Sequence, residues 1–214
     1  MGRMRGDVRC PRCGGRVSAP GLFADEWRCP AHGAVPPLRP ALPPGPEELA
    51  AVVRCARVPV WMPWPLPVGW LYAGATSAGD ARTGALATVL ACAGPGPQGT
   101  SELLLVAERP GLGLGAHLAG VPGTAPDEGK PAAGTLLAAG RPVTLWRLPE
   151  APPDRTVLLG DTDGVRLWLV GRPEGAAALA PEELVLADLR EAASELEFLP
   201  YGALSPSLLA GPRP

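Results

Sequence analysis

The stretch "TVLLGDTDGVRLWLV" (residues 156–170) predicts a β-hairpin, and through it a sheet. Two apolar runs flank the turn sequence "GDTDG", in which Asp163 and Gly164 suit the positive φ angles of a tight turn. In the second run leucine alternates with Arg166 and Trp168. Such alternation is typical of a half-buried strand. The hairpin therefore indicates two adjacent antiparallel strands joined by a tight turn.

Short apolar runs of similar length recur along the chain on both sides of turn sequences. Each has the length of a strand and is bounded by glycine, proline or polar residues. The six candidate strands are 70–76, 86–93, 102–107, 143–148, 156–159 and 165–170.

Two helices are predicted beside these strands. Residues 47–56 form the first, since Pro46 suits a first helical turn and the acidic residues after it favour the positive end of the helix. The second is "PEELVLADLREAASELEFL" (181–199), whose apolar residues recur at spacings of four and three and form one face. We therefore expect an α+β fold, in which a mostly antiparallel sheet is packed by this C-terminal helix.

Cysteine and histidine near the N-terminus have the spacing of a zinc ribbon. Cys10 and Cys13 form one pair, Cys29 and His32 form another, and fifteen residues separate the two pairs. A glycine follows each pair and lets the chain curl tightly. Four protein ligands fill a tetrahedral Zn²⁺ site and leave no position for water. The sequence therefore predicts structural zinc that contributes folding free energy to a small module.

Proline divides the chain. Residues 36–46 read "PPLRPALPPGP", a composition typical of a stiff, extended linker. We expect a zinc ribbon over residues 1–35, the proline-rich linker over 36–46 and an α+β domain of unknown function over 47–214.

The segment "VPVWMPWPLPVGW" (58–70) combines three tryptophans with four prolines. Proline keeps such a segment extended, and indole rings supply a large apolar surface. In one interpretation it is a strap that buries Trp61, Trp64 and Trp70 against the sheet. In the other it is a rigid surface that binds a partner peptide or an apolar ligand with little ordering cost.

Composition indicates a globular protein in a reducing compartment. Hydrophobic residues make up 46% of the 214 residues, enough for a core. No apolar run approaches the roughly 20 residues needed to span a bilayer, and no signal-peptide core precedes the first cysteine. We expect a cytoplasmic protein with reduced thiols. Cys55 and Cys92 lie in apolar surroundings and are interpreted as small buried hydrophobes.

Three functional classes remain open at this stage. The preferred one is a non-catalytic adaptor or regulatory protein that contacts a protein or small ligand through its Trp/Pro segment. The second is an enzyme with a small-molecule pocket in the C-terminal domain, near Asp80, Glu108 or His117. No residue is assigned a catalytic role, because the segment "ERPGLGLGAHLAG" (108–120) is better interpreted as a loop around a short helix than as a nucleotide site.

The third class is a nucleic-acid binder that uses the ribbon. Residues 1–40 carry seven arginines against three acidic residues, a net charge of +4, and arginine is suited to phosphate contacts. The whole chain is acidic, with a pI of about 5.7, which favours this class least.

Several motifs together resemble a known group of proteins. "CPRCGGRVSAPGLFADEWRC", "VPVWMPWPLPVGWLYAG", "SAGD" and "GPGP" are similar to sequences of uncharacterised actinobacterial proteins with an N-terminal zinc ribbon. The resemblance extends over most of the chain. It implies zinc binding and an actinobacterial origin, with which the abundance of alanine, glycine, proline and arginine agrees. It implies no activity and no catalytic positions.

Overall fold

The fold is dominated by β-strands. The structure, a computed structural model, describes residues 8–21, 25–96, 99–122, 131–173, 184–192 and 198–209. In chain order its elements are β1 (Arg28–Cys29), β2 (Gly33–Ala34), α1 (Pro46–Cys55), β3 (Trp61–Pro63), β4 (Leu71–Asp80), β5 (Gly84–Gly96), β6 (Gly99–Glu108), α2 (Leu114–Ala119), β7 (Gly134–Ala138), β8 (Arg141–Arg147), β9 (Thr156–Thr162), β10 (Val165–Arg172), β11 (Val185–Asp188) and α3 (Pro206–Leu209).

Nine strands form one curled sheet. Their order is β3-β11-β7-β8-β9-β10-β6-β5-β4. Neighbouring strands are antiparallel, except that β11 runs parallel to β7. The curl brings β3, at one end of the order, against β5 and β6 near the other end. Strands β1 and β2 form a separate two-stranded sheet near the N-terminus.

All six candidate strands are strands, and the predicted hairpin at residues 156–170 is present. Strands β9 and β10 pair antiparallel up to Thr162 and Val165. Between them Asp163 has φ of 51° and Gly164 has φ of 75°, the positive angles that the turn was predicted to need.

The half-buried character predicted for β10 is wrong. Leu167 and Leu169 lie in one core cluster, and Trp168, on the opposite face of the strand, is only 1% exposed in a second cluster. The reason is that both faces of the sheet are covered. On the inner face of the curl α1 packs against residues from both ends of the sheet, including β3 and β11, whereas α2 packs on the other face beside Trp168.

The prediction of a C-terminal helix over 181–199 is wrong for the described residues 184–192. Val185–Asp188 is strand β11, inserted between β3 and β7, while residues 181–183 and 193–197 lie outside the described part. Leu184, Leu186 and Asp188 are buried in alternation with more exposed residues. That period of two fits a strand, and the hydrogen bonds offered by two neighbouring strands outweigh the helical pattern.

The helix α1 is confirmed, with Pro46 as its first residue and two glutamates in its first turn. Its buried face carries Leu49. The Glu48 carboxylate accepts hydrogen bonds from the Tyr72 hydroxyl (2.8 Å) and the Ala75 backbone N–H (3.3 Å) of β4. Burial raises the pKa of Glu48, although these bonds oppose the shift. The helix is thus fixed to the sheet by both packing and hydrogen bonds.

The Trp/Pro segment contributes the buried strand β3, at one end of the sheet order, and a turn at the surface. Trp61 and Met62 in β3 are 4% and 0% exposed, and Trp70 is 6% exposed. Trp64 is half-buried against the same core. This arrangement agrees with the strap interpretation for Trp61 and Trp70.

We expect Gly115→Ala to destabilise the protein by about 1–3 kcal/mol, because a methyl group there overpacks the core. A Cβ at this position in α2 would lie 2.3 Å from two atoms of the Trp168 indole. Gly21→Ala is the matched control, since a Cβ at Gly21 meets nothing within 4 Å and its effect should stay within about 0.5 kcal/mol. Urea unfolding would measure both, and equal stabilities would contradict the packing of α2 on Trp168.

Candidate metal centre

Two tight turns present the four predicted ligands. In the first, the Gly14 N–H donates to the Cys10 carbonyl (2.8 Å) and the Cys10 N–H donates to the Gly15 carbonyl (2.7 Å). Gly14 has φ of +66°, a conformation that glycine adopts without strain. The second turn joins β1 to β2, where Cys29 pairs with Gly33. Each turn therefore curls its two ligands toward one point.

The ligand atoms of Cys10, Cys13, Cys29 and His32 all lie within 4.8 Å of one another. The Cys13 and Cys29 Sγ atoms are 3.8 Å apart. His32 Nδ1 lies 3.6 Å from the Cys10 sulfur and 3.5 Å from the Cys29 sulfur. A tetrahedron built with metal–sulfur bonds of about 2.3 Å and a metal–nitrogen bond of about 2.0–2.1 Å has edges of about 3.8 Å and 3.5 Å. The four side chains could therefore hold a metal ion of this kind, with Nδ1 as the histidine ligand.

Two of the thiols have shifted pKa values, in opposite directions. Burial raises the pKa of Cys10 to about 12, so that thiol stays protonated without a metal. At Cys29 burial acts in the same direction, but the bond with His32 and backbone N–H groups outweigh it and lower the pKa to about 6. A metal cation stabilises thiolates and displaces their protons. Binding at this cluster is therefore coupled to proton release.

The metal cluster is docked on the rest of the chain through backbone pairing and one arginine. Arg9 and Leu38 exchange backbone hydrogen bonds, and Leu38 in turn forms a bridge with Ala78 of β4. The Arg12 guanidinium donates to the carbonyls of Leu112 (3.1 Å) and Gly111 (2.6 Å). Part of the predicted linker thus pairs with the edge strand β4. The first turn of the cluster, which carries Cys10 and Cys13, contacts the loop before α2 through Arg12.

Residues 4–208 match the model of one protein family, DUF6758, a family of unknown function. The chain belongs to DUF6758. No curated protein and no solved structure matches it. The match agrees with the resemblance to uncharacterised proteins. Among the helices of the described part, none has the length and apolarity to cross a membrane.

Glu108, predicted as a ligand contact, is a buried helix cap in this DUF6758 chain. It is 2% exposed. Its carboxylate accepts hydrogen bonds from the Leu114 N–H (2.7 Å) at the start of α2 and from the Trp168 indole N–H (2.8 Å). Burial raises the pKa of Glu108 against the effect of these bonds. Its position is that of a group that holds α2 on the sheet.

Asp80 and His117, the other two residues predicted near an enzyme pocket, lie apart from each other. One carboxylate oxygen of Asp80 accepts the backbone N–H groups of Arg82 and Thr83, both at 2.9 Å, in the turn between β4 and β5. The bond from Thr83 makes the largest contribution to lowering the pKa of Asp80. His117 and Asp80 line different cavities, and Glu108 is engaged under α2. The structure does not bring the three groups suggested for an enzyme to one site.

Two contacts that hold the Cys/His cluster are not predictable from the sequence. Arg12, which the sequence presents only as positive charge, docks the cluster on the loop at Gly111. Leu38, in the predicted linker, is paired with both Arg9 and Ala78. No local pattern marks either role, because each depends on which backbone carbonyls and strand edge lie nearby after folding.

We expect Co²⁺ added to the reduced, metal-free protein to give the visible absorption and thiolate charge-transfer bands of a tetrahedral sulfur-rich site. Three separations among the four ligand atoms match the edges of a tetrahedron, all six lie within 4.8 Å, and cobalt accepts the same ligands as zinc. His32→Ala should weaken the bands and Cys92→Ser, which alters a buried thiol of the core, should not. Octahedral cobalt spectra in the parent protein would contradict the geometry.

Proposed function

We propose that this chain is a zinc protein whose Zn²⁺ is structural, and that it acts as a non-catalytic adaptor or regulatory protein. The observation that supports the metal proposal is the tetrahedral spacing of Cys10, Cys13, Cys29 and His32. Catalytic zinc keeps an open position for water or substrate. Four protein ligands would occupy every position here.

The ribbon needs such an ion for its stability. Its own core consists of Cys10, Cys29 and Val35, with Val17 packed against them. An apolar cluster of that size supplies little burial, and two of its members are the ligands themselves. In modules of this kind the metal-binding free energy is folding free energy.

The finer assignments belong to the same proposal. The two short hairpin-like turns and the ligand spacing support a zinc ribbon over residues 1–35, and the arginine-rich composition supports an actinobacterial origin. Thiolate ligands favour a reducing compartment, which supports the cytoplasm.

We expect the purified protein to carry one zinc ion per chain, measured by inductively coupled plasma mass spectrometry. Cys13→Ser should lose the ion, because three ligands bind a structural zinc far more weakly than four. Cys55→Ser is the matched control, since Cys55 lies in α1 and donates to the Val52 carbonyl at 3.3 Å. Full zinc content in Cys13→Ser, or loss in Cys55→Ser, would contradict the assignment.

The exposure of the Trp/Pro segment supports one place for the proposed partner contact. Trp61 and Trp70 are buried, so the accessible part of the Trp/Pro segment is the turn at 64–69. Within it Val68 is 97% exposed. The turn is held at both ends, since the Trp64 N–H donates to the Val185 carbonyl (2.8 Å) and the Trp70 N–H to the Pro67 carbonyl (2.9 Å). A rigid apolar projection of this kind binds with little loss of entropy.

We expect Val68→Asp to abolish partner capture from the native host while leaving the fold intact, because it places a charge in the centre of the contact. Leu137→Asp on β7 is the control, since Leu137 is also partly exposed, at 44%. Quantitative mass spectrometry of affinity captures compares the two variants with the parent. The adaptor proposal is wrong if Val68→Asp retains every partner that the parent captures.

A further inference from the structure

A cavity of about 240 Å³ lies where the first metal-binding turn, the linker, α2 and α3 meet. Its apolar wall includes Leu114 and Leu118 of α2, which are 1% and 9% exposed. Its polar wall is drawn from five different parts of the chain. These polar residues are Arg9, Arg39, Thr76, His117 and Ser207.

The charged side chains among the described residues that line this cavity are two arginines, and the Glu102 carboxylate lies behind its wall, where it accepts a hydrogen bond from the lining residue Ser207. The guanidinium groups of Arg9 and Arg39 donate to the backbone carbonyls of Gly14 (3.2 Å) and Gly79 (3.5 Å). No aspartate or glutamate is among the described residues that line the cavity. The nearby Glu48, which lines the neighbouring cavity with Arg39, is already occupied by Tyr72 and Ala75. Two guanidinium groups at one cavity favour an anion.

His117 adds an unpaired polar group to the wall. The side chain lies in α2 and is 9% exposed, and its Nε2 atom has no hydrogen-bond partner in the described structure. The edge of the ring that carries Nε2 faces Gly14, where a Cβ would lie only 3.2 Å away. Gly14 lines the same cavity. A backbone hydrogen bond with Arg12 acts on the same ring and opposes the lowering of its pKa, so the imidazole lies between the first metal-binding turn and the cavity.

Burial lowers the pKa of His117 to about 4. The ring is therefore neutral at pH 7 and offers a hydrogen bond rather than a charge. The positive charge of the site comes from the two arginines, which are exposed, whereas the leucines and the imidazole are buried. A ligand that fits this arrangement has a negative charge at its outer end and an apolar part at its inner end.

From these observations we infer that the cavity binds a small organic carboxylate, with its charged group at Arg9 and Arg39 and its apolar part against Leu114 and Leu118. Pockets that take drug-sized ligands measure about 300–1,000 Å³, so the ligand here is smaller than those. The inference goes beyond the proposed function, since it assigns a small-molecule site that needs no partner contact at 64–69. It depends on the docked position of the ribbon, because Arg9 and Gly14 flank the first metal-binding turn.

The test uses hexanoate and benzoate as probes, with hexanamide and benzamide as uncharged controls of the same shape. Each is titrated to millimolar concentration into the isotope-labelled full-length protein, and backbone amide shifts are followed by NMR. We expect saturable shifts at residues 38–41 and 114–118. Because hydrogen bonds to charged groups are the stronger ones, at least one carboxylate should bind about tenfold tighter than its amide. Equal binding of acid and amide, or no saturable shift with either acid, overturns the inference.

Two pairs of arginine variants test whether the carboxylate binds at Arg9 and Arg39. Arg9→Gln combined with Arg39→Gln should raise the Kd of the carboxylate about tenfold. Arg54→Gln combined with Arg147→Gln removes the same charge from two exposed residues outside the cavity and should leave the Kd unchanged. Equal weakening by both pairs would show a general charge effect and would refute the site.

Zinc content and amide spectra of each variant are measured in parallel. A chain that retains its metal and its spectrum but binds no carboxylate disproves the cavity proposal alone. A chain that lacks zinc but binds the carboxylate at these residues disproves the metal proposal alone.

Discussion

The carboxylate of Glu108 is the interaction on which the arrangement of the other parts depends. It is buried at the end of β6 and accepts hydrogen bonds from the start of α2 and from the Trp168 indole. Without it two buried donors would be unpaired, at a cost of about 1–3 kcal/mol each. The bonds fix α2 on the outer face of the sheet. The Cys/His cluster, through Arg12, contacts the loop before that helix, and the helix forms one wall of the cavity beside His117.

Covering both faces of the sheet explains the composition of its strands. Small residues occupy several positions where another element approaches closely, and Gly94 is one of these, since a Cβ there would lie 2.5 Å from the Trp70 ring. Gly115 plays the same part toward Trp168. In both places the indole occupies the space that a side chain in place of the glycine would fill.

The sequence allowed the strands and the ligand cluster to be predicted because each depends on local information. Turn residues such as Asp163 and Gly164 fix a hairpin by their own φ angles, and four ligands identify a metal site by spacing. The period of a strand says nothing about what covers its second face, so the burial of Trp168 could not be foreseen. The segment at 185–188 has apolar spacing that fits a helix, and only its two neighbouring strands select the extended form. The cavity likewise joins residues from opposite ends of the chain, such as Arg9 and Ser207.

The pairing of Leu38 with Ala78 has a consequence for how the chain behaves among its own copies. Strand β4 ends the order of the sheet, and the linker covers part of its free side through bonds at Ser77 and Gly79. That cover is itself held by Arg9, one residue before the first metal ligand. An uncovered strand edge is a template for pairing with another chain. The pairing at Leu38 therefore blocks part of this edge from pairing with a second copy of the chain.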